Sequence, residues 1–236
     1  KTAIVGCGGI ARVHAETIKN SKHELVAFCD IRRERAESFS QKYTGGKAPV
    51  FDSLEEMLRQ VDFDVLHICT PHALHLPMAV AALKSGCNVF MEKPPAISRK
   101  QFAELKDAEK ASGKLLGVCF QNRYNTSVTQ ARELISSGKA GKIISARAFV
   151  TWSRGESYYV DSGWRGTMEL EGGGAMINQS IHTLDLMTQF MGQPVSAEAS
   201  IANHHLKGVI EVEDTMEAYI KYGSGIGLFY CTTAFG

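Results

Sequence analysis

The sequence predicts an α/β protein in two parts, a doubly wound parallel sheet followed by an α+β domain on a mainly antiparallel sheet. Three observations predict it. A β-branched run, Thr2 to Val5, meets the glycine pattern Gly6-Cys7-Gly8-Gly9-Ile10-Ala11 and then a helical repeat through Lys19. Apolar strand-like runs alternate with amphipathic helical stretches as far as Gln121, which requires parallel pairing and right-handed crossovers. Beyond Gln121 the alternation gives way to longer β-rich runs joined by Gly-rich turns. The expected domains are therefore residues 1–121 and 122–236.

The first element says the most. In G-x-G-x-x-A between a strand and a helix, Gly6 permits a tight turn and Gly8 lets the backbone approach a pyrophosphate. Gly9 and Ile10 complete the loop, small Ala11 lets helix and strand pack closely, and the helix N-terminal amides face the phosphate charge. This is the fingerprint of a Rossmann dinucleotide site. The second strand, Leu25 to Cys29, ends at Asp30, near the distance at which an acid binds the adenosine ribose hydroxyls. Arg32 and Arg33 follow, and guanidinium groups there can accept the extra phosphate of NADP. Asp30 repels that phosphate, so NAD is the expected cofactor and NADP the alternative.

Arg33 to Tyr43 reads as a helix, Pro49 to Phe51 as a short strand, and Ser53 to Glu56 as a capping box. A strand within Asp64 to Thr70 leads into Pro71-His72-Ala73-Leu74-His75 and a helix closing near Gly86. Val89-Phe90-Met91 is a buried strand that stops at Glu92-Lys93-Pro94-Pro95, where charges and prolines end the pairing. Ligands of such sheets bind beyond the carboxyl ends of the strands, so Thr70, Pro71, His75, Glu92 and Lys93 join the cofactor set, His75 as a polar wall. A second capping box, Ser98 to Gln101, opens a helix ending before Gly113. Lys114 to Gln121 is the sixth strand, with Gln121 also assigned to the cofactor.

Composition narrows the partners. A formal charge of +1, with acids and bases spread along the chain, excludes an electrostatic footprint for nucleic acid or an anionic membrane. No apolar run approaches the ~20 residues of a membrane span, and no signal-peptide pattern precedes the first strand. Cys7, Cys29, Cys69, Cys119 and Cys231 lie in or just after apolar strand-like runs, Cys87 follows a glycine, and none forms a C-x-x-C pair. The expectation is reduced thiols in a cytoplasmic protein. His72 and His75 lack an acid or cysteine at ligand spacing, so no metal is expected. His14 is assigned to packing or a helix surface, and His204 and His205 to the surface.

In the second part, Asn125 to Ser137 reads as a helix. Strands are expected over residues 143–150, Ser196 to Asn203, Val212 to Tyr222 and Ile226 to Thr233. Trp152 to Leu170 is long for a connection and is expected to be a binding loop, with Tyr159, Trp164 and Arg165 offering flat faces and a fixed cation to a polyol. After Glu171-Gly172-Gly173-Gly174 comes a helix, Ala175 to Met191, with Ile177, Ile181, Leu184 and Met191 on its apolar face. Asn178, His182 and Asp185 stand at i, i+4 and i+7 and form a polar stripe. The triple glycine is expected to let this helix N-terminus approach a ligand. Arg123 joins Asn178, Asp185 and the loop residues as substrate-binding.

Taken together, the dinucleotide fingerprint, Thr70-Pro71 with His75, Glu92-Lys93-Pro94, and the glycine run leading to His182 and Asp185 resemble the Gfo/Idh/MocA family of glucose-fructose oxidoreductases and inositol dehydrogenases. The resemblance covers essentially the whole chain. It implies an NAD(P)-dependent dehydrogenase acting on a secondary hydroxyl of a sugar, cyclitol or nucleotide sugar, in which Lys93 and His182 flank the substrate carbinol. A reference pKa of ~6.5 suits His182 as general base, with Lys93 stabilising alkoxide character. Homodimers or homotetramers through the C-terminal sheet are also implied. Alternatives are an NAD-dependent glycosidase of the same family and a non-catalytic dinucleotide sensor. Two departures stand out. Asn178 occupies a position where many relatives carry aspartate, and the chain stops at Gly236 where the family's sheet normally continues, so a truncated C-terminus is expected.

Overall fold

Six parallel strands build the first sheet of the computed structural model, which describes residues 1–235. They are β1 (Thr2–Val5), β2 (Leu25–Cys29), β3 (Val50–Phe51), β4 (Val65–Ile68), β5 (Asn88–Met91) and β6 (Leu116–Val118), in the order β3-β2-β1-β4-β5-β6. Between them run α1 (Ala11–Lys19), α2 (Arg33–Thr44), α3 (Leu54–Gln60), α4 (His75–Lys84) and α5 (Arg99–Ser112). The winding reverses between β1 and β4, so the loops leaving those strands diverge and open a crevice at the carboxyl edge.

Alternation along each strand builds two cores. Ala3 and Val5 of β1 face α3, α4 and α5, packing with Met57, Ala79, Leu83 and Leu105. Ile4 faces the other way and packs with Ala11, Ala15 and Ile18 of α1 and with Phe39 of α2. The expected caps form: Ser53 Oγ accepts the Glu56 N–H at 3.4 Å, Ser98 Oγ accepts the Gln101 N–H at 3.2 Å, and Gly113 closes α5 at φ +66°. This unit spans Lys1–Cys119, and a second compact unit begins at Phe120.

The second unit contains α6 (Thr126–Ser136), β7 (Ser145–Thr151), α7 (Glu156–Val160), a π-helical turn (Ala175–Ser180) running into α8 (Ile181–Met191), then β8 (Pro194–Ala202), β9 (Thr215–Tyr222) and β10 (Gly225–Thr232). The sheet order is β7-β10-β9-β8. β8, β9 and β10 pair antiparallel, whereas β7 pairs parallel to β10, so the sheet is mixed. The long excursion through α7 and α8 makes a parallel return possible. Met187 and Met191 of α8 cover one face with Val150, Ile220, Phe229 and Cys231. The stretch expected as a loop from Trp152 contains α7, and the expected helix from Ala175 opens with the π turn instead of an α turn.

No helix among the described residues is long and apolar enough to cross a membrane. Among the described residues the cysteines form no disulfide. Burial pushes the Cys29 thiol up to about 12 and likewise raises Cys7 and Cys69, which favours the protonated thiols.

Candidate active site

The glycine loop is organised from below. Gly6 adopts φ +85°, and a Cβ there would lie 2.7 Å from the Cys69 carbonyl carbon at the end of β4, so turn and packing both demand glycine. A Cβ on Gly8 or Gly9 would meet nothing within 4 Å, which leaves the backbone of the loop open to an incoming group. The N-terminus of α1 has no side-chain cap at Ile10, so its first amides are presented to the crevice. Asp30 is buried, and its carboxylate accepts the Cys7 N–H at 2.7 Å and the Arg32 N–H at 2.9 Å. It therefore ties the loop of β1 to the end of β2, a task that strand-end placement did not suggest. Arg32 and Arg33 are exposed beside it. Open backbone, uncapped amides and a strand-end acid fit a dinucleotide.

Further along the same edge lie Thr70, Pro71 and the ends of β4 and β5. His75, expected as a polar wall of the cofactor site, is fully buried instead, with Nδ1 2.7 Å from the Pro94 carbonyl oxygen and Nε2 3.0 Å from that of Thr70. Burial lowers its pKa against those carbonyls. A neutral imidazole carries one N–H, so it donates to one of these two carbonyl oxygens, and the shorter contact assigns that N–H to Nδ1 and Pro94. Glu92 is buried, its Oε1 2.9 Å from His14 Nε2, and its Oε2 accepts the Lys93 backbone N–H at 3.3 Å. Burial opposes the Glu92 charge, but the His14 hydrogen bond and charge outweigh it and hold the carboxyl below its ordinary range. His14 Nδ1 in turn lies 2.8 Å from Nδ1 of His67, whose pKa burial and the His14 charge push down to about 3. Half-buried Lys93 follows directly and is joined to Pro94 by a cis peptide.

In the second unit the expected helix-to-ligand approach is replaced by an internal bond. Glu213 accepts the Gly174 N–H at 2.9 Å and the Met176 N–H at 3.0 Å, and its carbonyl accepts the Ala175 N–H. A Cβ on Gly174 would fall 1.9 Å from the Glu213 carbonyl oxygen, so the glycine serves this close backbone approach. Asn178 is buried and donates its Nδ2–H to Glu171, which also accepts the Gly166 N–H. Burial raises the Glu171 pKa, partly offset by those two hydrogen bonds.

His182, half-buried one turn on, meets Phe120 edge-on with ring centroids 5.8 Å apart. The Arg123 guanidinium lies 5.0 Å from the same Phe120 ring and forms a bidentate pair with Asp185 at 2.7 and 2.5 Å. Arg123 and Asp185, each expected to hold substrate, thus hold one another beside His182. Gln121 is exposed at the start of the turn that carries Arg123. Tyr159, expected to bind substrate, is a core residue packed with Leu206, Ile210 and Val212, its hydroxyl 3.1 Å from Thr233 Oγ1. Arg165 does present a fixed cation, 4.4 Å from the Tyr158 ring and 4.9 Å from Trp164, and Arg154 stacks 4.9 Å from Trp152.

The groups missed from sequence are Glu171, Glu213 and His14. His14 and Glu213 are joined to their partners across 78 residues to Glu92 and across 39 and 37 residues to Gly174 and Met176, beyond any local pattern, whereas Glu171 bonds Gly166 and Asn178 five and seven residues away. Glu171 alone carried a signal, a lone carboxylate directly before three glycines.

Comparison with known proteins agrees with this division. Residues 1–120 match the Gfo/Idh/MocA oxidoreductase model with its NAD-binding Rossmann fold, and residues 128–235 match the family's C-terminal domain. The chain is 32% identical to D-glucoside 3-dehydrogenase of Escherichia coli over 100% of its own length and 70% of that protein. It is 35% identical to glucose-6-phosphate 3-dehydrogenase of Bacillus subtilis over 62% of the chain and 41% of that enzyme. The solved WlbA dehydrogenase of Bordetella pertussis, in complex with NADH and UDP-GlcNAcA, superposes with a TM-score of 0.91 at 32% identity, covering 99% of this chain and 70% of that one. Among the curated relatives matched along most of the chain, it spans between 60% and 70% of their length. With the family's two domain models matching residues 1–120 and 128–235, the chain belongs to the Gfo/Idh/MocA family of oxidoreductases, its first unit being the family's NAD-binding Rossmann domain.

Proposed function

We propose that the protein is an NAD-dependent dehydrogenase that oxidises a secondary ring hydroxyl of a sugar, cyclitol or nucleotide sugar. The observation that carries it is the placement of Lys93 at the carboxyl edge of the sheet, in the same unit as the open glycine loop held by Asp30. Bound NAD supplies a hydride acceptor. The protein's own task is the hydroxyl proton. The proton is assigned to His182 as general base, and stabilisation of the developing alkoxide charge to Lys93. Asn178 orients the substrate, and Arg165 with Trp164 offers a stacked cation and ring to polyol faces. Two relatives are named as 3-dehydrogenases of glucose derivatives, so the C3 hydroxyl of a glucose-configured ring is the first carbinol to test.

The sheet face opposite α8 exposes Phe149 at 65% and Leu228 at 39% beside Arg147 and Tyr219. That apolar area supports a homodimer or homotetramer through this sheet. The lack of disulfides among the described cysteines goes with a cytoplasmic setting.

The test is formation of NADH, followed by absorbance, against D-glucosides, inositols and UDP-sugars with NAD and NADP in parallel. Lys93→Met and His182→Ala are each expected to lower kcat about 10²- to 10⁴-fold with NADH binding retained. Free sugar released without NADH accumulation marks a glycosidase instead, and NAD binding without turnover of any substrate marks a sensor.

A further inference from the structure

We propose that His14 and His75 are positioning residues that grip Lys93 from its two sides; the inference rests on the catalytic reading of Lys93. The residue before Lys93 and the residue after it are each hydrogen-bonded to a buried histidine. On the N-terminal side, His14 holds Glu92 at 2.9 Å, and the other Glu92 oxygen accepts the backbone N–H of Lys93 itself at 3.3 Å. On the C-terminal side, the Nδ1–H of neutral His75 donates to the Pro94 carbonyl at 2.7 Å, and Nε2 lies 3.0 Å from the Thr70 carbonyl oxygen.

Each grip is itself braced. A carboxylate only accepts, so the His14 nitrogen facing Glu92 carries the proton, while the opposite nitrogen is met by His67 at 2.8 Å. His14, Glu92 and His75 are each more than nine-tenths buried, so solvent does not compete for these bonds. His14 belongs to α1, the helix that leaves the glycine loop, His67 belongs to β4, and Thr70 follows β4. The two histidines therefore fix the backbone of Lys93 to the same elements that form the cofactor crevice. A half-buried lysine on a flexible four-carbon stem gains its precision from where its backbone is held.

A displacement of about 1 Å at a reacting group can lower a rate about 10²-fold. His14→Ala and His75→Ala are expected to lower kcat about 10- to 100-fold, with KM and the Kd for NADH, read by fluorescence titration, within about threefold of the parent. His14→Gln places an amide N–H near the lost Nε2, and His75→Asn places one near the lost Nδ1; both are expected to regain most of the rate. Hydrogen exchange of the peptide over residues 88–98 should rise in the two alanine variants and fall back in the conservative pair, a readout independent of turnover. Folded alanine variants with kcat unchanged, while Lys93→Met is inactive, overturn the grip and leave the proposed function standing. Full activity in Lys93→Met overturns the catalytic reading, whatever the histidines do.

His14, Glu92 and Cys119 also bring ligand atoms within 4.8 Å of one another. One equivalent of a tightly held divalent metal, read by elemental analysis of the purified protein, would occupy the His14 and Glu92 atoms and overturn the proposal. Metal-free protein with protected exchange at residues 88–98 supports it.

Discussion

The side-chain amide of Asn178 donates to the buried carboxylate of Glu171. Since an ionised carboxylate only accepts, the NH₂ of Asn178 must face it and the amide oxygen must face away. Glu171 thereby sets which end of the amide the rest of the site meets.

Asn178→Asp places a second carboxylate against the first. Burial already raises the Glu171 pKa, and a like charge raises the pair further. A raised acid pKa costs stability above the folded pKa, and the cost shrinks as the pH falls through it. Urea denaturation should show the variant about 2 kcal/mol less stable than the parent at pH 8, with the gap narrowing toward pH 5. Equal stability at pH 8 would mean that the two side chains do not share this environment.

Gly8→Ala and Gly174→Ala separate a ligand-facing glycine from a packing glycine. A Cβ at Gly8 meets nothing within 4 Å, so the melting curve should stay put while NADH affinity falls at least about tenfold, because the methyl fills the approach to the loop. At Gly174 the Cβ lies 1.9 Å from backbone oxygen, so that variant should lose about 3 kcal/mol or fail to fold. Thermal melts and fluorescence titration of both proteins check the contrast.

Asp30→Ala removes the acceptor of two backbone N–H groups and a negative charge beside Arg32. NADH should bind at least about tenfold more weakly, by about 1.4 kcal/mol or more. The ratio of NADP to NAD turnover should rise, since the charge that repels the 2′-phosphate is gone. Parallel kcat/KM values with the two cofactors measure it, and an unchanged ratio would remove Asp30 from cofactor choice.

Asp214 is fully buried and accepts the N–H groups of His204, His205 and Leu206 and the Thr215 hydroxyl. Burial opposes its charge, but these bonds outweigh it and lower the pKa. A depressed folded pKa contributes stability above the unfolded value of ~3.9, lost as the pH falls through the folded value. Asp214→Asn should therefore cost about 2 kcal/mol at pH 7 and clearly less at pH 3, by chemical denaturation at both pH values. β9 starts at Thr215, three residues later than apolar patterning suggests; the Asp214 side chain binds the loop at His204 to Leu206 while its backbone N–H donates to the Ala202 carbonyl.

What the sequence determined by itself is whatever depends on short-range pattern. The strand-helix alternation, both serine caps, the glycine loop and the strand ending at Lys93 were legible because period, cap chemistry and turn residues act within a few positions. The strip from Asn178 to Asp185 was legible as residue types but not as partners. Only the tertiary structure decided that Arg123 and Asp185 satisfy each other, that Tyr159 is core, that Glu213 caps the helix expected to face a ligand, and that β7 joins its sheet parallel. A buried carboxylate or histidine needs a partner, and which one it finds depends on chain segments tens of residues apart being packed together, which no local periodicity encodes.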